Sequence, residues 1–296
     1  LIFSGNAKMS KIFNLLHSLN LASKATSEVF SNSTRDIKQL KVYKDLSSDI
    51  IYIDDFFVGD HVYKEGKYRE HQTTSSVSSL EDRADCKRRL NDFKELYNNK
   101  VICDFGCGAG TFLIESEKDT KASYGVELQE NYIEELNKKH IKCTDNINDI
   151  PDNLDACFLF HVLEHLDDPI YYLESIRNKL TDRGKIIIEV PHARDFLIKE
   201  LHIDEFIDFT LWSQHLILHT RESLDAFLIR AGYKNINIYG VQRFSIANHI
   251  QWIRDKMPGG HRGKLKNLET DKLKLAYQEA LNSIDATDTL IAIAEK

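Results

Sequence analysis

At 296 residues, 42% hydrophobic and 29% charged, the chain has the composition of a globular protein with room for one large domain and appendages. A formal net charge of −7 and a pI near 6.0, with Lys and Arg scattered along the chain, argue against a nucleic-acid partner. No apolar run approaches the roughly 18 residues of a membrane span, and Leu1-Ile2-Phe3-Ser4-Gly5 lacks the basic and apolar regions of a signal peptide. The five cysteines, Cys86, Cys103, Cys107, Cys143 and Cys157, form no C-x-x-C pair, which points to reduced thiols in a cytoplasmic protein.

Residues 1–97 contain two Ser/Thr/Asn-rich runs, Thr26 to Thr34 and Thr73 to Ser79. Between them, Lys38 to Lys44 and Asp49 to Asp54 have the branched and aromatic content of short strands, and a Tyr-rich piece runs from Val62 to Arg69. This stretch reads as an N-terminal appendage on the substrate side.

From residue 98 to 242 strands and helices alternate. Val101 to Phe105 is a buried strand, followed by strands at Ala122 to Glu127, Ile141 to Thr144 and Asp155 to His161, with a helix from Gln129 to His140. Asp168 can cap a helix that begins with Pro169, where the missing N–H is not needed, and Ile170, Leu173, Ile176 and Leu180 recur at helical spacing. Gly184 turns the chain into a fifth strand closed by Pro191. A helix from Arg221 to Ala231, ended by Gly232, leads to a sixth strand at Asn235 to Val241. Residues 243–286 read as a helical insertion or lid, and residues 287–296 hold the last strand. Continuous apolar strands alternating with helices predict an α/β fold with a doubly wound, mostly parallel seven-stranded sheet.

Ligands of such sheets bind beyond the carboxyl ends of the strands. The first strand of the core runs into Asp104-Phe-Gly106-Cys-Gly108-Ala-Gly110, where glycine permits tight turning and close approach of a ligand to the main chain. A dinucleotide fingerprint requires Gly or Ala at position 111, and the chain has Thr111. Glu127, about 20 positions on, suits ribose hydroxyls of any adenosyl ligand.

The G-x-G-x-G spacing resembles motif I of class I S-adenosylmethionine-dependent methyltransferases. Leu154-Asp155 and the stretch from Phe160 through Glu164 and His165 to Pro169 look like their fourth-strand motif, and Leu180 to Pro191 is similar to the hairpin and strand that follow it. The resemblance implies a Rossmann-like fold and S-adenosylmethionine as cofactor. It implies that Asp104, Gly106, Gly108 and Gly110 surround the methionine part and that Glu127 takes the ribose. Asp145, Asn146 and Ile147 would flank the adenine, with Phe160 and His161 on the other side. Asp145 and Asn146 also fit a plain turn, and Glu164 and His165 fit a helix-start network better than catalysis.

Ile188 to Phe196, Phe209 to Leu216 and Ser223-Leu224 resemble a narrower group, the methyltransferases of nucleotide-linked and surface-polysaccharide sugars. Two departures count against C-methylation: Gln214 stands where that group has Glu, and no cysteine precedes Cys86 to build an N-terminal zinc module. The expectation is methyl transfer to oxygen or nitrogen of a small polar acceptor, a sugar, with His215 as general base and His192 as second candidate. Trp212 and Gln214 would shape the acceptor pocket, and Arg262 in Pro258-Gly-Gly-His-Arg-Gly263 would hold a phosphate or simply stand on a surface turn. His215 and His219 have i,i+4 spacing, but no acidic third ligand stands at a recognisable distance, so no metal is expected. Competing readings are a methyltransferase for a quinone or lipid precursor, and a methyltransferase-like binding protein without turnover. Oligomerisation stays open.

Overall fold

Strands form where branched apolar residues cluster, and two sheets result. The computed structural model describes residues 11–59, 61, 64 and 78–296; most of the Tyr-rich piece and of the Thr73 to Ser79 run lie outside the described residues. In chain order the strands are β1 Ser27–Ser33, β2 Lys38–Asp45, β3 Ile51–Ile53, β4 Val101–Phe105, β5 Ala122–Val126, β6 Lys142–Thr144, β7 Leu154–Phe160, β8 Leu180–Pro191, β9 Ile217–Leu218, β10 Lys234–Val241 and β11 Thr289–Glu295.

The larger sheet has the order β10-β11-β8-β7-β4-β5-β6. Pairing is parallel from β8 through β7, β4 and β5 to β6, while β11 runs antiparallel to both β8 and β10. The sheet is the expected seven-stranded, mostly parallel one. Its strand order reverses beside β4, which opens a crevice between the ends of β4, β5 and β7.

Side chains alternate across the strands, so the sheet has two covered faces. Ile186 and Ile188 face Leu173, Ile176, Leu224 and Phe227 of the helices Pro169–Lys179 and Arg221–Arg230. Ile187 and Phe158 face the opposite layer, which includes Phe112, Phe93 and Cys86. Asp168 caps the first of those helices, accepting from the Tyr171 N–H, and Thr220 and Ser223 form a capping box on the second. The helix Ser78–Asp92 therefore covers the core sheet, although the composition of that stretch reads as appendage.

The smaller sheet, β1-β2-β3-β9, is antiparallel throughout. The polar run from Thr26 forms its edge strand β1, a position that tolerates polar residues on exposed faces. Its other edge, β9, belongs to the segment after β8, so the N-terminal sheet is hydrogen-bonded to the core through Ile51 opposite Leu218. The insertion before β11 folds as helices Ile246–Asp255 and Asp271–Ser283, and Trp252 of the first packs on Leu197, Ile203 and Phe206.

Candidate active site

The turn after β4 takes left-handed backbone at each glycine: φ is +77° at Gly106, +55° at Gly108 and +70° at Gly110. A Cβ on Gly106 would lie 2.4 Å from Cγ2 of Val162, so the turn can sit this close to the β7 loop only without a side chain. The Glu127 carboxylate, at the end of β5, accepts from the Gly108 N–H at 2.7 Å, the Leu128 N–H at 2.7 Å and the Gln129 N–H at 3.0 Å. Those amides fix its orientation without using every acceptor position of an ionised carboxylate.

These residues open onto a cavity of about 560 Å³, within the roughly 300–1,000 Å³ of small-molecule sites. Gly106, Glu127, Asp145, Asn146, Ile147, Phe160 and His161 line it, which brings together most of the residues expected around the cofactor. Asp104, Gly108 and Gly110 do not line it. Burial pushes the Asp104 carboxyl up to about 7, against the opposing charge of Arg89. The glycine cradle, the anchored carboxylate and the apolar Ile147 beside Asx residues fit an adenosyl cofactor with a methionine tail.

Apart from His165, the remainder of the cavity is built from residues that no motif of the chain singles out. Asp82, Asp85 and Arg89 come from the helix Ser78–Asp92, Arg243 from the segment after β10, and His165, Tyr171 and Tyr172 from the β7 loop and its helix. Phe57 and Lys64 close the N-terminal side. Arg243 and Asp85 form a two-point ion pair, with Nε 3.1 Å from Oδ1 and a second contact from Nη2 to Oδ2.

His161 is part of this wall. Its backbone is left-handed at φ +57°, uncommon for a residue with a side chain. Its Nδ1 is 3.3 Å from Glu164 Oε1 and its Nε2 3.2 Å from Glu189 Oε1, and both glutamates have no exposed surface. Burial and the Arg243 charge disfavour the imidazolium, but the flanking carboxylates outweigh them and raise the proton affinity of His161 above the ordinary value. Burial would push Glu189 up, yet Arg89, His161 and Arg88 hold it well below the usual carboxylate range. Arg89 also stacks over Phe160, with its guanidinium carbon 4.2 Å from the ring centre.

The acceptor-side expectations fare differently. His215 does not line the cavity; it lies behind His165, with ring centres 5.0 Å apart, and burial drives its proton affinity down to about 3. A base that weak, one ring removed from the cavity, is poorly placed for general-base work. His192 is further away, buried with Nδ1 on the Thr287 carbonyl at 2.9 Å and held neutral by burial, its proton affinity near 4. Trp212 packs edge-on to His165 and under Arg35, and Gln214 offers its carbonyl to His165 Nδ1 at 2.8 Å. Neither lines the cavity, and nor does Arg262, whose Nε meets the His261 ring at 3.0 Å.

Fold and site together define a class I S-adenosylmethionine-dependent methyltransferase. A sequence profile described as a methyltransferase domain matches residues 79–238, more than half of the chain, and the chain belongs to that family. No curated protein matches the sequence. Among solved structures, the chain resembles a SAM dependent methyltransferase from Archaeoglobus fulgidus at 18% identity and a TM-score of 0.52, covering 78% of this chain and 99% of that one. It also resembles a SAM-dependent methyltransferase from Thermotoga maritima, described as a possible histamine N-methyltransferase, at 14% identity and a TM-score of 0.51, covering 80% and 98%. At those identities the likeness speaks for the fold. The cofactor of the class is S-adenosylmethionine. Among the described residues no helix is long and apolar enough to cross a membrane.

Proposed function

We propose that the protein methylates oxygen or nitrogen of a small polar acceptor, a sugar or sugar-like metabolite, held at the His161 end of the cavity. The observation that carries this reading is that His161, His165 and the Asp85–Arg243 pair share one cavity with Gly106 and Glu127. Donor and acceptor would thus meet in a single cavity, as in-line displacement requires.

S-adenosylmethionine, when bound, supplies an electrophilic methyl on a sulfonium. Glu127 would hold the ribose hydroxyls, the main chain at Gly106 would pass beside the methionine part with Asp104 behind it, and Ile147 with Asp145 and Asn146 would flank the adenine. With Nδ1–H directed at Glu164, His161 would receive the proton of an acceptor hydroxyl or amine at Nε2, the ring nitrogen without an aligned hydrogen bond among the described residues, and Glu164 and Glu189 would stabilise the imidazolium. The proton-accepting part moves from His215 to His161 because only the latter reaches the cavity surface. Asp85 and Arg243 present a paired carboxylate and guanidinium suited to acceptor hydroxyls.

Phe57, Leu166, Tyr171 and Tyr172 give the mouth an apolar side. They favour, as a second reading, an acceptor with a planar apolar portion such as a quinone precursor. Transfer of labelled methyl to a panel of nucleotide sugars, free sugars, amines and phenolic quinone precursors separates the two. Labelling of sugars supports the first reading; labelling confined to phenols supports the second and overturns the first.

A further inference from the structure

We propose that Glu164, His165 and His215 form a binding site for a divalent transition-metal ion in the wall of the cavity. One ligand atom from each lies within 4.8 Å of the others. The acidic ligand that is missing near His215 in the sequence is supplied by Glu164 through folding, the Leu216 N–H donating to the Glu164 carbonyl at 2.8 Å and holding the two segments together. His219 is not part of the group; its Nδ1 faces Ser223 Oγ at 3.0 Å.

Three features point to an ion. Glu164 has no exposed surface, and among the described residues neither of its carboxylate oxygens has an aligned hydrogen-bond partner. The nearest ring nitrogens, His161 Nδ1 at 3.3 Å and His165 Nε2 at 4.0 Å from Oε1, make no aligned hydrogen bond to it, so the buried carboxylate has acceptor positions left for an ion. His165 contacts the Gln214 carbonyl through Nδ1 at 2.8 Å, which fixes the tautomer that carries the lone pair on Nε2, 4.0 Å from Glu164 Oε1. That is the outer-shell support that metal-binding histidines commonly have. His215 Nδ1 is buried without a hydrogen-bond partner among the described residues.

Two imidazoles and one carboxylate suit Zn²⁺, Mn²⁺ or Fe²⁺ better than Mg²⁺ or Ca²⁺, and three protein ligands leave coordination positions open. Of the three residues His165 alone lines the cavity, so an open coordination position would be reached from the acceptor side past its ring, where it would take an acceptor hydroxyl. This last role rests on the functional reading above; ion binding does not.

The test is an electron paramagnetic resonance titration of the full chain with Mn²⁺, with Zn²⁺ as competitor and Mg²⁺ as control, beside calorimetry of S-adenosylmethionine. The expected result is one Mn²⁺ per chain, displaced by Zn²⁺ but not by Mg²⁺, and weakened roughly tenfold or more in His215→Ala and Glu164→Gln. Retained cofactor binding shows that the variants fold, and His215→Ala decides if Glu164→Gln does not. No bound Mn²⁺ or Zn²⁺ in a wild type that binds the cofactor, or affinity unchanged in the variants, overturns the site. Metal binding without cofactor binding would leave the site standing and overturn the methyltransferase reading of the cavity instead.

Discussion

Arg89 donates to Glu189 through Nη2 at 2.7 Å, a bond that ties the helix Ser78–Asp92 to the end of β8 beneath the cavity. Arg88 reaches the same carboxylate with Nη2 at 2.8 Å. Removing one member of such a buried group strands the others in a medium that solvates them poorly. Glu189→Ala should therefore cost about 3–5 kcal/mol of folding stability. Urea unfolding measures it, and a loss below about 1 kcal/mol would show that the arginines find other partners.

Gly106 carries a steric demand that can be tested alone. Gly106→Ala places a Cβ 2.4 Å from Val162 Cγ2 on a backbone at φ +77°. The strain of a left-handed alanine is roughly 1–2 kcal/mol before any clash is counted. We expect a folded protein with a lowered Tm and cofactor affinity reduced at least tenfold. Calorimetry on the variant checks this; unchanged affinity would mean that the turn does not approach the ligand.

His161→Asn separates chemistry from backbone geometry. Asn tolerates the left-handed conformation that His161 adopts at φ +57°, so the loop is preserved. Turnover should fall by roughly 10²-fold, the usual scale for a lost general base, with cofactor binding little changed. Single-turnover methyl transfer measures the effect. A comparable loss in His215→Asn or His192→Asn with His161→Asn active would return the role to a sequence-based candidate.

His249 links acid to unfolding. It is buried beside Tyr277, whose hydroxyl lies 2.7 Å from Nδ1, and burial lowers its proton affinity from 6.5 to about 4. Above pH 6.5 the imidazole is neutral folded or unfolded and the effect is nil. As pH falls from 6.5 toward 4 the unfolded chain takes up a proton that the folded one refuses, so stability is lost over that window. The loss reaches up to about 3 kcal/mol for this group. Chemical unfolding at pH 7.5 and pH 5.0 should show a smaller pH difference in His249→Gln than in the wild type; an equal difference would contradict it.

Fold and cofactor side were legible in the sequence because they depend on local signals. The apolar run of β4, the spacing of Gly106, Gly108 and Gly110, and Glu127 at the end of β5 each act within a few residues of where they stand. The proposed acceptor side was not, because it is assembled from afar. Asp85 and Arg243 are separated by 158 positions and Arg89 and Glu189 by 100, and no spacing rule joins them. His161 was visible as a cofactor neighbour, but its position between two buried glutamates arises only when β7 and β8 pair with Phe160 opposite Glu189. The polar composition before β2 concealed an edge strand for a related reason, since edge pairing asks little of side chains.

The central claim is that Gly106 and Glu127 frame a site for S-adenosylmethionine. Titration calorimetry of S-adenosylmethionine and S-adenosylhomocysteine against the wild type and Glu127→Ala tests it most directly. Binding at micromolar concentration that falls by at least about tenfold in the variant, some 1.4 kcal/mol, is the expected result. A folded wild type that binds neither compound, or a variant that binds them equally well, would contradict it.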